Sequence, residues 1–398
     1  MKMAFRLRSL LCGVLMSDQE ARAVCRHTRV LYSLKALLLM LAAVLIFELY
    51  ASVAHQWLPP SYEPENVPGK LLPAKPEKKQ ILLITYGRSG STFTSAIISH
   101  PNSVFYTAEP LHRMPDSYGI YDRPLPERTR LKALDMIRAF LECDFRAIDP
   151  QTYSSIMFLS SNSTYDFKRC IENQKKAGVS YVGCFLHMWD LCTASNVTYV
   201  KTIRVRMWWA AWFLDRMPNL KVLFLIRDPR ATLYSQAANF QNFDPNKSAA
   251  PKSKEFCDEV RGDVSSFQNL SSLYPGRLMA IRYEDGAVEP MRFAKNIYKF
   301  LGNEFDRDME EFVTRIVSSS KSGKKLEENS YGYEKKNSTA TMNRWRKKAE
   351  FKTVQAFDES CKDLYPLFGY RQIDSDELLK SDSSLLTSPS FHGFFKPL

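Results

Sequence analysis

The stretch Ile81–Phe93, which reads ILLITYGRSGSTF, constrains the fold more than any other part of the chain. Gln80–Tyr86 is a short, almost wholly apolar run, and such runs are typical of a strand buried on both faces of a parallel sheet. Small residues follow at Gly87–Thr92, and Phe93–His100 has the character of a helix. A buried strand, a tight loop and a helix in this order predict the first β-loop-α unit of an α/β domain.

The loop itself has the composition of an anion-binding turn. Gly87 and Gly90 allow unusual backbone dihedral angles and a close approach to a ligand, and N–H groups at the start of a helix favour a phosphate-like anion. Ser91 and Thr92 add hydroxyl donors, and Arg88 is the only permanent charge. A Walker A loop would carry Gly-Lys-Ser/Thr after a longer loop. Because this lysine is missing, the loop argues against an ordinary Mg-ATP site. A plain strand-to-helix turn is the alternative.

A second segment, Phe224–Ser235 (FLIRDPRATLYS), has the same strand-turn-helix character. An apolar strand ends at Arg227, and Asp228 stands where the N-cap of a helix is expected, with a proline after it. Ser235 lies about two helical turns beyond Arg227. The Arg227 guanidinium and the Ser235 hydroxyl together predict a binding site for a second phosphate. A surface ion pair of Asp228 with Arg227 or Arg230 is the alternative.

Strand and helix patterns alternate through the rest of the body. The further strand candidates are Ser103–Thr107, Val197–Val205, Lys221–Ile226 and Arg277–Tyr283, and the further helix candidates are Leu125–Phe145, Ala231–Phe240 and Pro290–Leu301. Such alternation predicts a central parallel sheet with helical crossovers. We expect one domain over 80–371, followed by a tail over 372–398 that is polar and then Phe-rich.

One membrane-spanning segment is predicted before this domain. Ala36–Ala54 is apolar except for Glu48, and about 19 residues just span a hydrocarbon core of ~30 Å. Because basic residues crowd 1–35, the positive-inside rule predicts a cytoplasmic tail there and a type II signal-anchor at 36–54. A cleaved signal peptide and a buried soluble helix are the alternatives. A Pro-rich stem over 55–79 would then hold a lumenal domain away from the membrane.

Two features agree with an oxidising, lumenal compartment. Glycosylation sequons begin at Asn162, Asn196, Asn246, Asn269 and Asn337. Six of the eight cysteines follow the predicted anchor, which permits three disulfides and leaves their pairing open. The cysteine spacing lacks the paired CxxC that a zinc site would show. We therefore expect a glycoprotein with structural disulfides and no metal.

The charge of the chain indicates the kind of ligand only broadly. The formal net charge is +12, with 55 Lys plus Arg against 43 Asp plus Glu. A basic body favours an anionic ligand without separating a nucleotide from an acidic glycan. The sequence contains no zinc finger, homeodomain pattern or aromatic RNA-binding signature, so nucleic acid is not an expected partner.

Taken together, the two phosphate segments resemble the sulfotransferases. TYGRSGSTF (85–93) is similar to their 5′-phosphosulfate loop, and IRDPRATLYS (226–235) is similar to their 3′-phosphate motif. Several further segments resemble the Golgi carbohydrate 6-O-sulfotransferases, which act on galactose, N-acetylgalactosamine or N-acetylglucosamine. These segments are VFYTAEPLH (104–112), ECDF (142–145), KTIR (201–204), IRYED (281–285) and NSTATMNRWR (337–346). The resemblance runs from about Gln80 to Arg371. Gly286 departs from it, since the family usually has Leu there.

The resemblance implies a sulfotransferase fold, which is a P-loop-like three-layer sandwich around a central parallel sheet. It implies a type II Golgi membrane enzyme that uses 3′-phosphoadenosine 5′-phosphosulfate (PAPS) as donor co-substrate, without a metal. A hydroxyl of a glycosaminoglycan or glycoprotein glycan would attack sulfur in line, and adenosine 3′,5′-bisphosphate (PAP) would leave. The implied donor-site residues are Gly87, Arg88, Ser89, Gly90, Ser91 and Thr92 for the 5′-phosphosulfate, Arg227 and Ser235 for the 3′-phosphate, and Trp345 and Arg346 beside them. Arg88 would also stabilise charge on the bridging oxygen.

Glu109, in TAEPLH, is the predicted catalytic base. It follows the second strand candidate, so it is expected at the same sheet edge as the glycine loop. A carboxylate within hydrogen-bond reach of the sugar hydroxyl would take its proton, and partial burial would raise the carboxyl pKa toward a useful range. Two alternatives stay open: His112 as the base, and a purely structural Glu109 that caps or pairs with an arginine.

Other features are open between function and structure. Met207, Trp208, Trp209 and Trp212 form either a platform for sugar rings or core packing, and Lys201 and Arg204 are candidates for binding the sulfate or the acceptor. The loops Pro110–Arg130 and Gln241–Lys254 would set the choice of acceptor. Two rival functions are a lumenal P-loop kinase or NTPase, and a catalytically silent glycan-binding protein with the same fold. A homo-oligomer is left open.

Overall fold

The computed structural model describes residues 78–100, 103–114, 126–148, 151–177, 180–239, 245–318 and 338–393. The predicted cytoplasmic tail, the predicted anchor and most of the predicted stem lie outside these residues. Within the described ranges, no helix is long and apolar enough to cross a membrane. The last two residues expected in the stem, Lys78 and Lys79, belong to the domain, since Lys79 opens the first strand.

Five parallel strands form the central sheet of the described domain. They are β1 (Lys79–Thr85), β2 (Val104–Ala108), β3 (Val197–Thr202), β4 (Leu220–Ile226) and β5 (Leu278–Arg282), in the spatial order β2-β3-β1-β4-β5. The predicted strands are confirmed to within one residue, except that β3 ends before Val205. The chain lays β2 and β3 on one side of β1, and β4 and β5 on the other. The carboxyl end of β1 is therefore a topological switch point, where open α/β sheets bind ligands.

The side chains of β1 show why its sequence is apolar throughout. Leu82 and Ile84 point into one hydrophobic cluster, and Ile81 and Leu83 point into another, each at most 2% exposed. Because successive side chains of a strand alternate between the two faces of a sheet, both faces of β1 are covered. This arrangement gives three layers, and it confirms the α/β prediction.

Helices cover both faces of the sheet. They are α1 (Ser91–Ser99), α2 (Glu127–Glu142), α3 (Asn162–Ala177), α4 (Val182–Ala194), α5 (Ala210–Arg216), α6 (Pro229–Ala237), α7 (Pro245–Leu273), α8 (Tyr283–Val288), α9 (Pro290–Leu301), α10 (Arg307–Ser318), α11 (Ser338–Lys348), α12 (Phe351–Cys361), α13 (Leu364–Phe368) and α14 (Asp376–Lys380). Short 3-10 helices lie at Phe145–Ala147, Thr152–Ser154, Phe158–Ser160 and Met207–Trp209. Helices α1, α9 and α10 contribute to one core, and α2, α7 and α12 contribute to the other.

Helix α7 corrects an expectation about the acceptor loops. The stretch Gln241–Lys254 was expected to be a loop, but α7 already begins at Pro245 and contains Pro251. Proline inside a helix removes a hydrogen bond and clashes with the preceding turn, which is why the sequence pattern there does not indicate a helix. Buried side chains such as Cys257, Val260 and Phe267 hold α7 in the core.

The described part of the chain bears out the prediction of structural disulfides. The bonded pairs are Cys143–Cys192, Cys170–Cys184 and Cys257–Cys361. Of the sequon asparagines, Asn196 and Asn269 are exposed, and Asn337 lies outside the described residues. Cross-links of this kind are typical of proteins that mature in an oxidising compartment.

The segment 372–393 is not a tail, which corrects the sequence prediction. Its residues Ile373, Leu379 and Leu385 are buried in a third cluster with Trp345. Phe391 packs on Phe267 with 5.3 Å between ring centroids. The backbone N–H of Ala280, in the edge strand β5, donates to the carbonyl of Gly393 at 2.9 Å. The segment therefore belongs to the core and covers part of a sheet edge that would otherwise be open to pairing.

Two cations join the end of α11 to the end of α14. The Arg346 guanidinium donates to the carbonyl oxygens of Leu378 at 2.7 Å, Leu379 at 3.1 Å and Ser383 at 2.7 Å. In return, the Lys380 ammonium donates to the carbonyls of Arg346 and Ala349. Carbonyl groups at the C-terminal end of a helix lack intrahelical partners, and cations stabilise them. Each helix thus caps the other.

Asp358, on α12, is expected to make stability depend on pH. Its carboxylate accepts a 2.5 Å hydrogen bond from the Tyr365 hydroxyl, and burial raises the pKa of Asp358 to about 6. A carboxyl group whose folded pKa is raised stabilises the protein fully below its unfolded pKa of about 3.9, and this contribution is lost as pH rises through 6. We expect Asp358→Asn to lose less melting temperature than the parent between pH 5 and pH 7.5. The control is the exposed Asp190→Asn, and parallel pH profiles for Asp358→Asn and the parent would contradict the prediction.

Candidate active site

The structure brings the two predicted phosphate segments together. Strands β1 and β4 are neighbours in parallel register, so the loops that follow them leave the same edge of the sheet. The Nε of Arg88 donates to the Ser235 hydroxyl at 3.1 Å, and Arg227 donates to the carbonyl of Arg88 at 2.8 Å. The Gln236 amide donates to the carbonyl of Gly87 at 2.9 Å. The two segments therefore form one continuous site.

The glycine loop has an unusual backbone that the sequence requires. Arg88 has φ 70° and Gly90 has φ 87°, both in the left-handed region, and Gly90 is the N-cap of α1. A β-carbon added at Gly90 would lie 2.1 Å from the Tyr283 ring. Tyr283 opens α8 and closes over the loop, so only glycine fits beneath it.

Buried polar atoms of the two loops fit a phosphate-bearing ligand. Among the described residues, the Ser89 hydroxyl and the Arg227 Nε are buried without a hydrogen-bond partner. Buried polar groups in folded proteins nearly always have a partner. The N-terminus of α1 adds N–H groups and the positive end of the helix dipole. These groups are donors of the kind that the phosphates of PAPS or PAP would require, and the roles of Ser91 and Thr92 stay predictions.

The acidic residue beside Arg227 pairs with a different arginine. Asp228 N-caps α6 through the N–H of Arg230, and its carboxylate also accepts two hydrogen bonds from the buried Arg230 guanidinium, at 3.0 and 2.9 Å. Arg227 instead lies 5.0 Å from the centre of the Tyr283 ring. Asp228 therefore pairs with Arg230, but this ion pair is buried and not the surface pair left open, while Arg227 faces the glycine loop.

Glu109 forms a buried cluster with two cations at the carboxyl edge of β2 and β3. Its carboxylate lies 3.0 Å from the Lys201 ammonium and 2.5 Å from the Arg204 guanidinium, and it is 3% exposed. Burial by itself would raise the pKa of Glu109, but these two cations hold that pKa below its usual value. Glu109 also has φ 47°, and such strain in a residue other than glycine clusters at functional sites. The structural pairing that we left open is present, and the role of Glu109 as a base stays a prediction.

His112 lies one turn beyond Glu109. The backbone N–H of His112 donates to the carbonyl of Glu109 at 3.0 Å. The imidazole Nδ1 lies 3.0 Å from the Ser155 hydroxyl. Burial and the nearby Arg204 lower the pKa of His112. A neutral imidazole is thus available at the same edge, so the structure keeps His112 as the rival base.

The structure gives Arg346 and Trp345 contacts within the protein, and their predicted place beside the donor stays a prediction. Arg346 is 1% exposed, and its guanidinium is bound to carbonyl groups of 378–383. Trp345 is 6% exposed and packs in the third cluster, with the Arg230 guanidinium 5.9 Å from its ring. Trp345 therefore packs in one cluster with Ala231 of α6, and Arg346 holds the C-terminal segment, which supplies partners that the sequence pattern could not show.

The structure distinguishes buried from exposed residues in the Met207–Trp209 segment. Met207 and Trp209 are buried and belong to the core, whereas Trp208 is 51% exposed.

Gly286 departs from the family pattern for a reason that the structure shows. At Gly286 a β-carbon would lie 3.0 Å from the Phe293 ring. Phe293 thus occupies the space that the usual leucine would need.

Sequence reasoning missed two residues that shape the site. Tyr283 lies inside the quoted IRYED segment, but nothing in that segment shows that its ring covers Gly90. Asp263, on α7, accepts hydrogen bonds from the Tyr86 hydroxyl and the Met207 N–H, both at 2.8 Å. It ties the end of β1 to the segment after β3. No local pattern in α7 distinguishes Asp263 from its solvent-exposed neighbours.

A parallel three-layer fold, a glycine loop after β1 and an Arg/Ser pair after β4 define an α/β protein whose two loops meet in one site. Residues 78–369 match the family described as "Sulfotransferase domain". The chain belongs to this family.

Curated relatives narrow the resemblance. Carbohydrate sulfotransferase 1 is 25% identical in Mus musculus and 26% identical in Homo sapiens, each over 365 residues that cover 80% of this chain and 85% of the relative. Carbohydrate sulfotransferase 3 of Tetronarce californica is 24% identical, covering 79% of this chain and 78% of the relative. Among solved structures, mouse sulfotransferase SULT7A1 complexed with PAP aligns with a TM-score of 0.38 at 13% identity, covering 76% of this chain and 87% of that one. The recognition of a carbohydrate sulfotransferase relative is confirmed.

Proposed function

We propose that this chain transfers a sulfuryl group from PAPS to a sugar hydroxyl. The acceptor is the 6-hydroxyl of galactose, N-acetylgalactosamine or N-acetylglucosamine in a glycosaminoglycan or a glycoprotein glycan. The observation that carries the proposal is the contact of Arg88, Ser235 and Arg227 across two loops. The similarity to carbohydrate sulfotransferases 1 and 3 supports a sugar as acceptor.

In this proposal the two loops divide the donor between them. Gly87–Thr92 and the start of α1 hold the 5′-phosphosulfate, and Arg227 and Ser235 hold the 3′-phosphate. The acceptor oxygen forms a bond to sulfur while the bond from sulfur to the bridging oxygen breaks. Arg88 stabilises the negative charge that develops on that oxygen, because a preorganised cation requires no reorganisation during the reaction.

The proton of the acceptor hydroxyl goes to Glu109 in this proposal. Glu109 is ionised because Lys201 and Arg204 lower its pKa, so it can accept a proton, although a low pKa makes it a weak base while both ion pairs persist. Acceptor binding would have to weaken at least one of them. Lys201 and Arg204 then also set the charge beside the reacting hydroxyl.

The placement of the chain in the cell is a further part of the proposal. We propose a cytoplasmic tail over 1–35, a signal-anchor over 36–54, a stem that ends before Lys78, and a lumenal catalytic domain in the Golgi. The apolar segment with its basic flank supports the anchor. The three disulfides support a lumenal domain.

Arg88→Ala is the substitution that tests the donor site. In the purified full-length chain, we expect it to lower sulfate transfer from PAPS to a glycan panel by more than about 100-fold, or ~2.7 kcal/mol in the transition state. The parent chain should also gain melting temperature from PAP but not from Mg-ATP, since a ligand at 100 times its Kd adds ~2.7 kcal/mol. Arg292→Ala, an exposed arginine on α9, is the matched control.

Three results would count against the proposed function. Transfer by Arg88→Ala within about tenfold of the parent, under ~1.4 kcal/mol, would remove Arg88 from the mechanism. Stabilisation by Mg-ATP alone would favour the kinase hypothesis. Stabilisation by neither nucleotide, together with no transfer, would favour a silent glycan-binding protein.

A further inference from the structure

Trp208 differs from the residues beside it in the same 3-10 helix. Met207 is fully buried and Trp209 is 3% exposed, but the Trp208 side chain is 51% exposed. A single exposed apolar residue is common on protein surfaces. A functional role for Trp208 therefore depends on its location in the fold and on the side chain that contacts its ring.

Trp208 follows a segment of the chain that contacts both parts of the candidate site. The N–H of Met207 donates to the Asp263 carboxylate, which also accepts from Tyr86, the residue before Gly87. The Cα of Trp208 is one residue further, about 3.8 Å from that of Met207. Four residues earlier, Arg204 pairs with Glu109. The backbone at Trp208 thus follows directly on a segment held between the glycine loop and the Glu109 cluster.

The partner of Trp208 is a cation that is itself held in place. The Arg130 guanidinium lies 5.5 Å from the centre of the Trp208 ring. Arg130 is half-buried, and Glu127 accepts two hydrogen bonds from it. A guanidinium over an indole face restrains the ring, and a restrained side chain loses less entropy when a ligand binds. The exposed ring is therefore preorganised.

We propose that Trp208 and Arg130 form an acceptor subsite that binds a pyranose ring next to the sugar that receives the sulfate. The C–H groups on one face of a pyranose carry partial positive charge and pack on the electron-rich face of an indole. A guanidinium has five N–H donors, so Arg130 retains N–H groups beyond the two that Glu127 accepts, and these can donate to a hydroxyl or an acidic group of that sugar. The subsite rests on the proposed sulfotransferase function, and it sets acceptor affinity without contacting the donor.

The subsite predicts a defect in glycan binding that spares donor binding. The probes are desulfated keratan and desulfated chondroitin chains, titrated calorimetrically into the full-length chain saturated with PAP. We expect Trp208→Ala to weaken the binding of at least one probe about fivefold to tenfold, and Trp208→Phe to restore most of it. Arg130→Met should give a smaller loss. The matched control is Leu273→Ala, which removes another exposed apolar side chain, 70% exposed, at the end of α7.

Stabilisation by PAP distinguishes a failure of the subsite from a failure of the proposed function. Stabilisation by PAP should be equal in the parent, Trp208→Ala and Leu273→Ala. If Trp208→Ala binds both probes as well as the parent, or if the parent binds neither probe while PAP still stabilises it, the subsite is wrong and the donor site stands. If Trp208→Ala loses PAP stabilisation, Trp208 is structural and the subsite is also wrong. If PAP fails to stabilise the parent, the proposed function fails first.

Discussion

Alanine at Gly90 is expected to abolish donor binding and to destabilise the domain. The left-handed backbone at this position costs alanine about 1–2 kcal/mol, and the added β-carbon would meet the Tyr283 ring at 2.1 Å. The ring is buried and the Arg227 guanidinium lies 5.0 Å from its centre, so a shift of the ring changes this contact as well. Displacing Tyr283 would disturb both phosphate loops together. The measurement is the melting temperature of Gly90→Ala with and without PAP.

Two further variants show which part of this argument holds. Gly262→Ala is the matched control, since no atom lies within 4 Å of its added β-carbon; we expect it to bind PAP like the parent. Combining Gly90→Ala with Tyr283→Ala removes the clash and leaves the backbone strain. Compared with Tyr283→Ala alone, which bears the cost of the lost buried ring, this double variant should lose only the stability that the backbone strain costs, and it should keep only part of the PAP response. A Gly90→Ala chain that responds fully to PAP would contradict the role of the loop.

Glu109→Gln is expected to lower both folding stability and turnover, through the buried cluster of Glu109, Lys201 and Arg204. The substitution leaves the Lys201 and Arg204 cations buried without their carboxylate. Removing one partner of a buried ion pair costs about 3–5 kcal/mol of folding stability. If Glu109 is also the base, the turnover number should fall by about 100-fold or more. Denaturant unfolding and initial rates at saturating PAPS measure the two effects separately.

A second substitution separates the structural role from the catalytic one. Adding Lys201→Met to Glu109→Gln removes one of the uncompensated cations, so part of the lost stability should return. Activity should not return with it if Glu109 accepts the proton. Recovery of activity in the double variant, together with an inactive His112→Ala chain, would transfer the role of base to His112.

The sheet and the glycine loop could be predicted because their signals are local. The apolar run of β1 and the glycine spacing after it lie within about a dozen residues, and both faces of β1 are indeed buried. The two phosphate segments could be paired because parallel strands bring their carboxyl ends to one edge of the sheet. Burial and strand geometry were thus sufficient to predict the strands β1 and β4 and the meeting of the loops that follow them.

The features that were missed depend on contacts between distant parts of the chain. Arg346 is bound by carbonyl groups 32 to 37 residues later, in a segment that is polar enough to resemble a tail. Tyr283 reaches Gly90 from a different strand-helix unit. Asp263 is one carboxylate among several along α7, and only the tertiary fold brings the Tyr86 hydroxyl to it. Such pairings leave no periodic signal in the sequence.

The packed C-terminal segment has a consequence for the order in which the protein matures. The family match ends at residue 369, yet the carbonyl of Arg371 accepts from Arg230 at 2.9 Å, and the carbonyl of Gly393 accepts from β5. These partners lie beyond residue 369. During synthesis, the helix behind Arg227 can therefore be fully supported only after residues beyond the family match have left the ribosome. A frameshift or early stop after residue 369 would preserve every recognisable motif and still yield a chain that lacks these partners, which we expect to be less stable.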